Sequence, residues 1–374
     1  MKDFWTGLRN AILGFCYRTL LKPVFFLRDP EEVHDQMTAL GERMGAMAFG
    51  RALTRAAFGY GDGALRQTVA GLSFANPVGL AAGFDKDGRL TQILPAVGFG
   101  FEEIGSVTGR PCAGNSRPRL WRLRQSDSLL VNYGLKNDGA AAIAGRLQGR
   151  TSAFPLGISL AKTNSPDTVA EEAGIADYLA AYRTFVAADV GDYFTVNISC
   201  PNAYGGEPFV APERLDKLLA ALRSIKDSRP LFLKMPAELS PAGLDGIVEV
   251  ARRYRVAGFV STNLAKDRQN PYLRETRLPD FGGMSGRVVR ELSDRQIAYL
   301  YQKTKGEFII IGCGGIFTAE DAYRKIRLGA SLLQLITGMI YLGPQAVSEI
   351  NRGLARLLRR DGLKNITAAV GRGL

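Results

Sequence analysis

Histidine is almost absent: the chain of 374 residues carries one, His34. That scarcity excludes much of hydrolytic chemistry. A Ser-His-Asp triad needs a histidine beside its serine, H-E-x-x-H zinc hydrolysis needs two, and His-ligated metals usually need several. Any general acid or base must then be Cys, Lys, Asp, Glu, Tyr or a hydroxyl, and His34 reads as a surface helix residue. Cysteine is scarce too. Cys16, Cys112, Cys200 and Cys313 lie far apart and form no C-x-x-C pair, so neither a zinc site nor a disulfide framework is expected. The uncharged run at 10–17 falls well short of the roughly 20 residues that span a bilayer. No small-residue cleavage site marks a signal peptide.

What is present is an ordinary apolar fraction, 46%, with 22% charged residues, so a folded chain is expected. The length suits one large α/β barrel or two or three domains. A net charge of +12 permits contact with nucleic acid or an anionic membrane and does not choose between them. Residues 1–28 place Phe4, Leu8, Ile12 and Phe15 at helical spacing beside Lys2, Arg9, Arg18, Lys22 and Arg28. That pattern reads as an interfacial helix on an anionic membrane, with a helix packed on its own domain as the alternative. Asp29-Pro30-Glu31-Glu32 starts a second helical piece that Gly59 to Gly63 ends. The domain reading is thus an N-terminal helical segment, 1–62, and a main domain, 63–374.

In the main domain a short apolar strand, a Gly- or Asn-bearing loop and an amphipathic helix repeat eight times. Strands are expected at 78–82, 101–107, 156–160, 193–198, 231–235, 258–262, 308–312 and 332–337. Helices are expected near 88–97, 138–148, 175–189, 213–226, 240–254, 286–305, 318–328 and 344–360. Eight such units predict a (β/α)8 TIM barrel, with a doubly wound sheet as the alternative. The stretches 108–136 and 265–285 read as long loops where lids sit.

The strand ends carry the chemistry-bearing residues. The fourth reads Val196-Asn-Ile-Ser-Cys-Pro-Asn202, with amides at Asn197 and Asn202 and a thiol at Cys200. Alone it is equally well a polar strand-to-loop junction. The first strand leads into Ala82, Gly83 and Lys86, the second ends at Ser106, the third is followed by Lys162, and the sixth ends at Thr262-Asn263. The fifth ends at Lys234 behind Leu231-Phe-Leu233, and a lysine there wants an anion. Gly314-Gly315 after the seventh strand and Thr337-Gly338 after the eighth suit a phosphate. A phosphorylated cofactor, an internal lysine and a thiol together fit FMN.

At these residues the chain resembles the dihydroorotate dehydrogenases over nearly its whole length. The motifs are Asn76-Pro-Val-Gly-Leu-Ala-Ala-Gly-Phe-Asp-Lys-Asp-Gly88, Gly98-Phe-Gly-Phe-Glu-Glu-Ile-Gly-Ser-Val-Thr108, Pro118-Arg-Leu-Trp-Arg-Leu123, Asn197-Ile-Ser-Cys-Pro-Asn202 and Ile310-Ile-Gly-Cys-Gly-Gly-Ile316. The segment Leu27-Arg-Asp-Pro-Glu-Glu-Val-His34 resembles the membrane-associated, quinone-reducing class 2 branch. The resemblance implies FMN against Ala82, Gly83, Lys86, Ser106, Asn197, Lys234, Thr262, Gly286, Gly315 and Thr337. It implies dihydroorotate against Lys86, Asn197, Asn202 and Asn263, a proton removed by Cys200 with Lys86 also at the chemistry, and a quinone arriving beneath the N-terminal helices. The expected setting is peripheral on the cytoplasmic face of a bacterial inner membrane or the organellar equivalent, without nucleic acid; a monomer is one option, and the sequence does not fix the oligomeric state.

Four positions depart from the family pattern. Cys200 replaces the class 2 serine, as in class 1; a thiol, with a free pKa of roughly 8.5, is a competent base. Val131 stands where the family's substrate-holding Asn is usual, and Asn132 takes that place only after a one-residue shift. Ser159 replaces an FMN-contacting Asn, and Leu264 a substrate-binding Thr. The alternatives are a related FMN oxidoreductase for another small cyclic substrate, a poorly active paralogue, a dead membrane or scaffold protein, and an RNA-directed flavin barrel like the dihydrouridine synthases. The last reads N-x-G-C-P where this chain reads Asn197-Ile-Ser-Cys-Pro201.

Overall fold

Short runs rich in Val, Ile, Leu and Phe, each bounded by glycine or proline, become strands buried along their length. They are β1 (Val78–Leu80), β2 (Phe101–Val107), β3 (Leu156–Leu160), β4 (Tyr193–Asn197), β5 (Leu231–Lys234), β6 (Gly258–Ser261), β7 (Ile309–Cys313) and β8 (Leu332–Leu335). All pair in parallel in chain order, and β8 returns to β1, so the sheet closes. This computed structural model describes residues 2–374; Met1, the first residue of the expected N-terminal segment, lies outside the described residues. Amphipathic helices surround the ring, as the eight-unit repeat predicts for a (β/α)8 barrel. One expected helix is short: 88–97 contracts to Leu94–Val97. The Asp85 carboxylate accepts from the Arg89 and Leu90 amides and holds that stretch as a turn.

The period of two along each strand sorts the barrel interior into layers. Phe101, Tyr193, Phe232, Val260, Ile311 and Leu332 form an apolar floor. Val69 and Phe74, from the hairpin of Gln67–Val69 and Leu72–Phe74, plug it from below. Two residues further along, Glu103 accepts from Thr195 Oγ1 (2.8 Å) and Gln334 Nε2 (3.1 Å). The next inward positions, Asn197, Lys234 and Cys313, stand at the mouth.

The two expected long loops are not loops throughout. Leu120–Leu123 and Ser128–Val131 form a hairpin, and Gly283–Gly286 pairs antiparallel with its second strand. This three-stranded sheet caps the mouth. Its third strand lies about 150 residues from the hairpin, so no local pattern announces it.

The N-terminal residues form α1 (Lys2–Cys16), a π-type turn at Tyr17–Leu21, α2 (Lys22–Leu27), α3 (Pro30–Ala46) and α4 (Ala48–Phe58). Asp29 caps α3 by accepting from the Glu31 and Glu32 amides. The inner faces dock on the barrel: Asn10 Nδ2 donates to Ser348 Oγ at 3.0 Å, Tyr17 Oη donates to the Ile340 carbonyl at 2.7 Å, and Phe26 packs edge-on against Tyr341. The outer faces leave Phe4, Trp5, Ile12, Phe15, Leu27 and Phe49 exposed.

Candidate active site

The strand ends open into one cavity of about 1290 Å³, its open mouth included, walled also by the capping sheet and α3. Lys86, Ala82, Gly83, Ser106, Asn197, Cys200, Asn202, Lys234, Thr262, Asn263, Gly286, Gly314, Gly315, Thr337 and Gly338 all line it. Of the residues expected to hold cofactor or substrate, Asn132 alone does not; Ser159 and Lys162 also lie outside its lining. The Asn132 side-chain oxygen accepts from Asn115 Nδ2 at 3.0 Å and its amide donates to the Arg119 carbonyl. Strand alternation turns Val131 into the cavity instead, so the one-residue shift does not occur. Leu264 and Cys313 line the wall as well.

One end of the cavity is closed by glycine turns. A Cβ at Gly315 would lie 2.4 Å from Arg290 Cβ, and one at Gly338 would lie 2.1 Å from the Ile316 carbonyl oxygen. Only glycine lets those turns close. Ser285 and Thr337 share a hydroxyl–hydroxyl bond of 2.8 Å there. Below the mouth, Lys234 is 4% exposed, and no carboxylate pairs with it among the described residues. A buried ammonium without an anion is costly, so a site of this kind fits a negatively charged ligand.

The opposite side holds the thiol and the amides. Asn197 Nδ2 donates to Ser106 Oγ (2.8 Å), Asn263 Nδ2 to the Ser199 carbonyl (2.8 Å) and Asn202 Nδ2 to the Val131 carbonyl (2.9 Å). Ser159 Oγ bonds Ser106 Oγ at 2.8 Å. Burial pushes the Cys200 thiol up to about 11, against the pull of the Asn202 amide. This corrects the expectation from a free thiol: unaided, the buried group stays protonated at neutral pH.

His34 is not the surface residue its helical setting suggested. It lines the cavity, half-buried, with Lys86 Nζ 3.2 Å from Nε2 and Phe84 edge-on at 4.7 Å. Burial first, then the Lys86 and Lys136 charges, lower its pKa to about 3, so the ring is neutral and Nε2 accepts from Lys86. Lys86, lying 4.1 Å above the Tyr133 ring, is lowered to about 8 by burial and by repulsion from Lys136. No local pattern marks His34 as a wall residue, because its partners are some fifty residues away.

Beside this pair, α3 is latched to the capping sheet. Glu31 takes a forked bond from Arg119 (2.7 and 3.0 Å), with Lys136 at 3.2 Å and Arg117 at 3.1 Å. Burial alone would raise its pKa, but the Arg119 hydrogen bond and charge prevail and lower it to about 2. Glu31→Ala strands a buried guanidinium and is expected to destabilise the fold by about 3 kcal/mol at pH 7. Since the folded pKa is depressed, the contribution is complete above the ordinary value of 4.5 and is lost as pH falls toward about 2. Urea titrations of wild type and variant at pH 7 and pH 3 check this: the gap must shrink at pH 3.

A closed eight-stranded barrel with glycine turns at its mouth, a buried lysine and a thiol among amides defines a (β/α)8 barrel whose cavity fits an anionic ligand. The family model for dihydroorotate dehydrogenase matches residues 64–358. The "Dihydroorotate dehydrogenase (quinone)" of Synechococcus sp. (strain JA-3-3Ab) is 43% identical over 91% of this chain and 92% of its own. That of Gloeobacter violaceus is 39% identical over 94% and 98%. The crystal structure of DHODH from Eimeria tenella in complex with ferulenol superposes with a TM-score of 0.80 at 28% identity, covering 92% of this chain and 95% of that one. The chain belongs to the dihydroorotate dehydrogenase family.

Proposed function

We propose that this protein oxidises dihydroorotate to orotate in pyrimidine biosynthesis, with FMN as cofactor and a quinone as electron acceptor. The observation that carries the reading is the convergence of Cys200, Lys86, three asparagine amides and the unpaired Lys234 on one cavity. Kinship with proteins named dihydroorotate dehydrogenase (quinone) supports the substrate and the acceptor.

When bound, FMN supplies a two-electron acceptor for the hydride that leaves C6 of the substrate. Gly314, Gly315, Thr337 and Gly338 would hold its phosphate, and Ala82, Gly83, Ser106, Thr262 and Gly286 would line its remaining edges. Lys234 would balance its negative charge. Asn197, Asn202 and Asn263 orient the substrate's carbonyl and carboxylate groups, and Lys86 neutralises the carboxylate. The Cys200 thiolate takes the C5 proton. Val131 and Leu264 narrow the polar contact available to the substrate.

The cavity continues past Lys86 to His34, Leu120, Leu129 and Ile340, an apolar passage toward the N-terminal helices that suits a quinone ring. The exposed aromatics of α1 and α4, beside Arg18 and Arg55, support peripheral contact with an anionic membrane. Among the described residues no helix is long and apolar enough to cross one.

The test is a visible spectrum taken anaerobically. Dihydroorotate should bleach the flavin band within the enzyme's turnover time, and a short-chain quinone should restore it. Bleaching by another dihydro-compound, with dihydroorotate inert, selects the related-oxidoreductase reading that Val131 and Leu264 motivate. Absence of flavin rejects both.

A further inference from the structure

Cys200 needs help that the main cavity does not supply. A buried thiol takes a proton only after it has lost its own, and burial opposes that loss. The cavity wall therefore leaves the base in its inactive form.

The missing charge lies behind it. Lys162, just past β3, is 4% exposed. Its ammonium has three N–H donors and, among the described residues, donates one hydrogen bond, to the Tyr204 carbonyl at 2.5 Å. No carboxylate pairs with it among the described residues. The acid whose field it feels, Asp177, is already engaged by the Gly109 amide, the Thr163 amide and hydroxyl, and Arg110 at 3.7 Å. Lys162 lines a second, small cavity with Tyr178 and Phe209, and Cys200 lines both that cavity and the large one. Tyr204, which Lys162 holds, is in the same loop as Cys200.

So two groups, each unfavourable alone, border the same small cavity. An isolated buried ammonium is costly, and so is an isolated buried thiolate; together they form an ion pair. We infer that Lys162 is a positioning residue for catalysis, its ammonium serving as the counter-ion of the Cys200 thiolate. The other groups acting on Cys200 do not replace it. Glu207, which acts against ionisation, is spent on Lys266 at 2.8 Å; Cys112 donates its thiol to the Gly134 carbonyl at 3.4 Å; Tyr178 donates its hydroxyl to the Asn197 carbonyl; and the Asn202 amide carries no full charge.

In the step this serves, the C5–H bond breaks and S–H forms on Cys200. The freed electron pair becomes the C5=C6 double bond as the hydride leaves C6 for the flavin. Lys162 keeps its proton throughout, and the thiol afterwards returns its proton to water. The proton step rests on the function proposed above; the thiolate pairing does not.

The experiment measures Cys200 itself, in flavin-loaded enzyme without substrate. Iodoacetamide alkylates thiolates, and mass spectrometry of the Cys200 peptide across a pH series gives the midpoint of ionisation. Lys162→Gln keeps a donor for the Tyr204 carbonyl and removes the charge. Its midpoint is expected to move up by at least one pH unit, with a tenfold or greater loss in the rate of flavin reduction at pH 7.5 and unchanged flavin content. Lys162→Arg is expected to keep the wild-type midpoint within half a unit.

An unmoved midpoint in Lys162→Gln, or slower alkylation at every pH without a shift, overturns the inference. Should Lys162→Gln not fold, Lys162→Arg decides: a midpoint one unit higher with the charge retained overturns it. If dihydroorotate fails to bleach even the wild type, the proposed function falls while the alkylation profiles still decide the pairing.

Discussion

Cys200→Ala is expected to retain its flavin and to lose at least a hundredfold in the rate at which dihydroorotate bleaches it. General-base catalysis contributes about 10²–10⁴-fold, and among the described residues no carboxylate lines the cavity to replace the thiol. His34 is neutral but engaged with Lys86 across the pocket. Flavin retention follows from distance along the wall: the phosphate turns are at Gly315 and Gly338, on other strands. The pH dependence has a definite sign. The reactive form of Cys200 is the deprotonated one, so wild-type kcat/KM climbs with pH while thiolate accumulates. Lys86, lowered to about 8 by burial and Lys136, would above that point lose the charge proposed to hold the substrate. The profile should therefore rise below about pH 8 and then level off, and the alanine variant should lack the rise. Anaerobic stopped-flow across pH 6–10 checks both, and an unchanged rate in Cys200→Ala removes it as the base.

Lys234→Ala is expected to empty the barrel of flavin. The wild-type ammonium sits at the end of β5 in register with Asn197 on one side and Val260 on the other, with apolar Phe232 two residues below. Among the described residues no carboxylate pairs with it, which is why its proposed partner is an anionic ligand. Truncation should weaken flavin retention by at least a hundredfold, about 3 kcal/mol, the scale of a charge-assisted contact in a buried site. The same change removes an uncompensated buried charge, so the flavin-free variant should melt no lower than flavin-free wild type. That opposite pair, weaker holoprotein and undiminished apoprotein, separates a cofactor contact from a merely structural lysine. Purified Lys234→Ala with full flavin occupancy would end the assignment.

How far residues alone reached differs between the barrel and its lid. The barrel strands appeared within a residue or two of their expected bounds, because each is a short apolar run between turn residues. Alternation then placed Asn197, Lys234 and Cys313 in the inward phase together with Tyr193, Phe232 and Ile311. The capping sheet was misread as loop, because its strands are four residues long and its outer partner, Gly283–Gly286, is remote in sequence. The choice between Val131 and Asn132 turned on the register of that sheet, which a single strand does not contain.

Local order in the chain determined the ring of strands, the glycine turns and the identity of the groups at the mouth, since periodicity and turn chemistry act over a few neighbouring residues. Tertiary packing alone decided which of those groups are charged and which residues join them. It brought His34 onto Lys86, bound Glu31 to Arg119, raised the Cys200 thiol and left Lys162 without a carboxylate. Those outcomes depend on burial and, for the His34–Lys86 and Glu31–Arg119 pairs, on partners 52 and 88 residues away, because desolvation and Coulomb attraction follow distance through space and not along the chain.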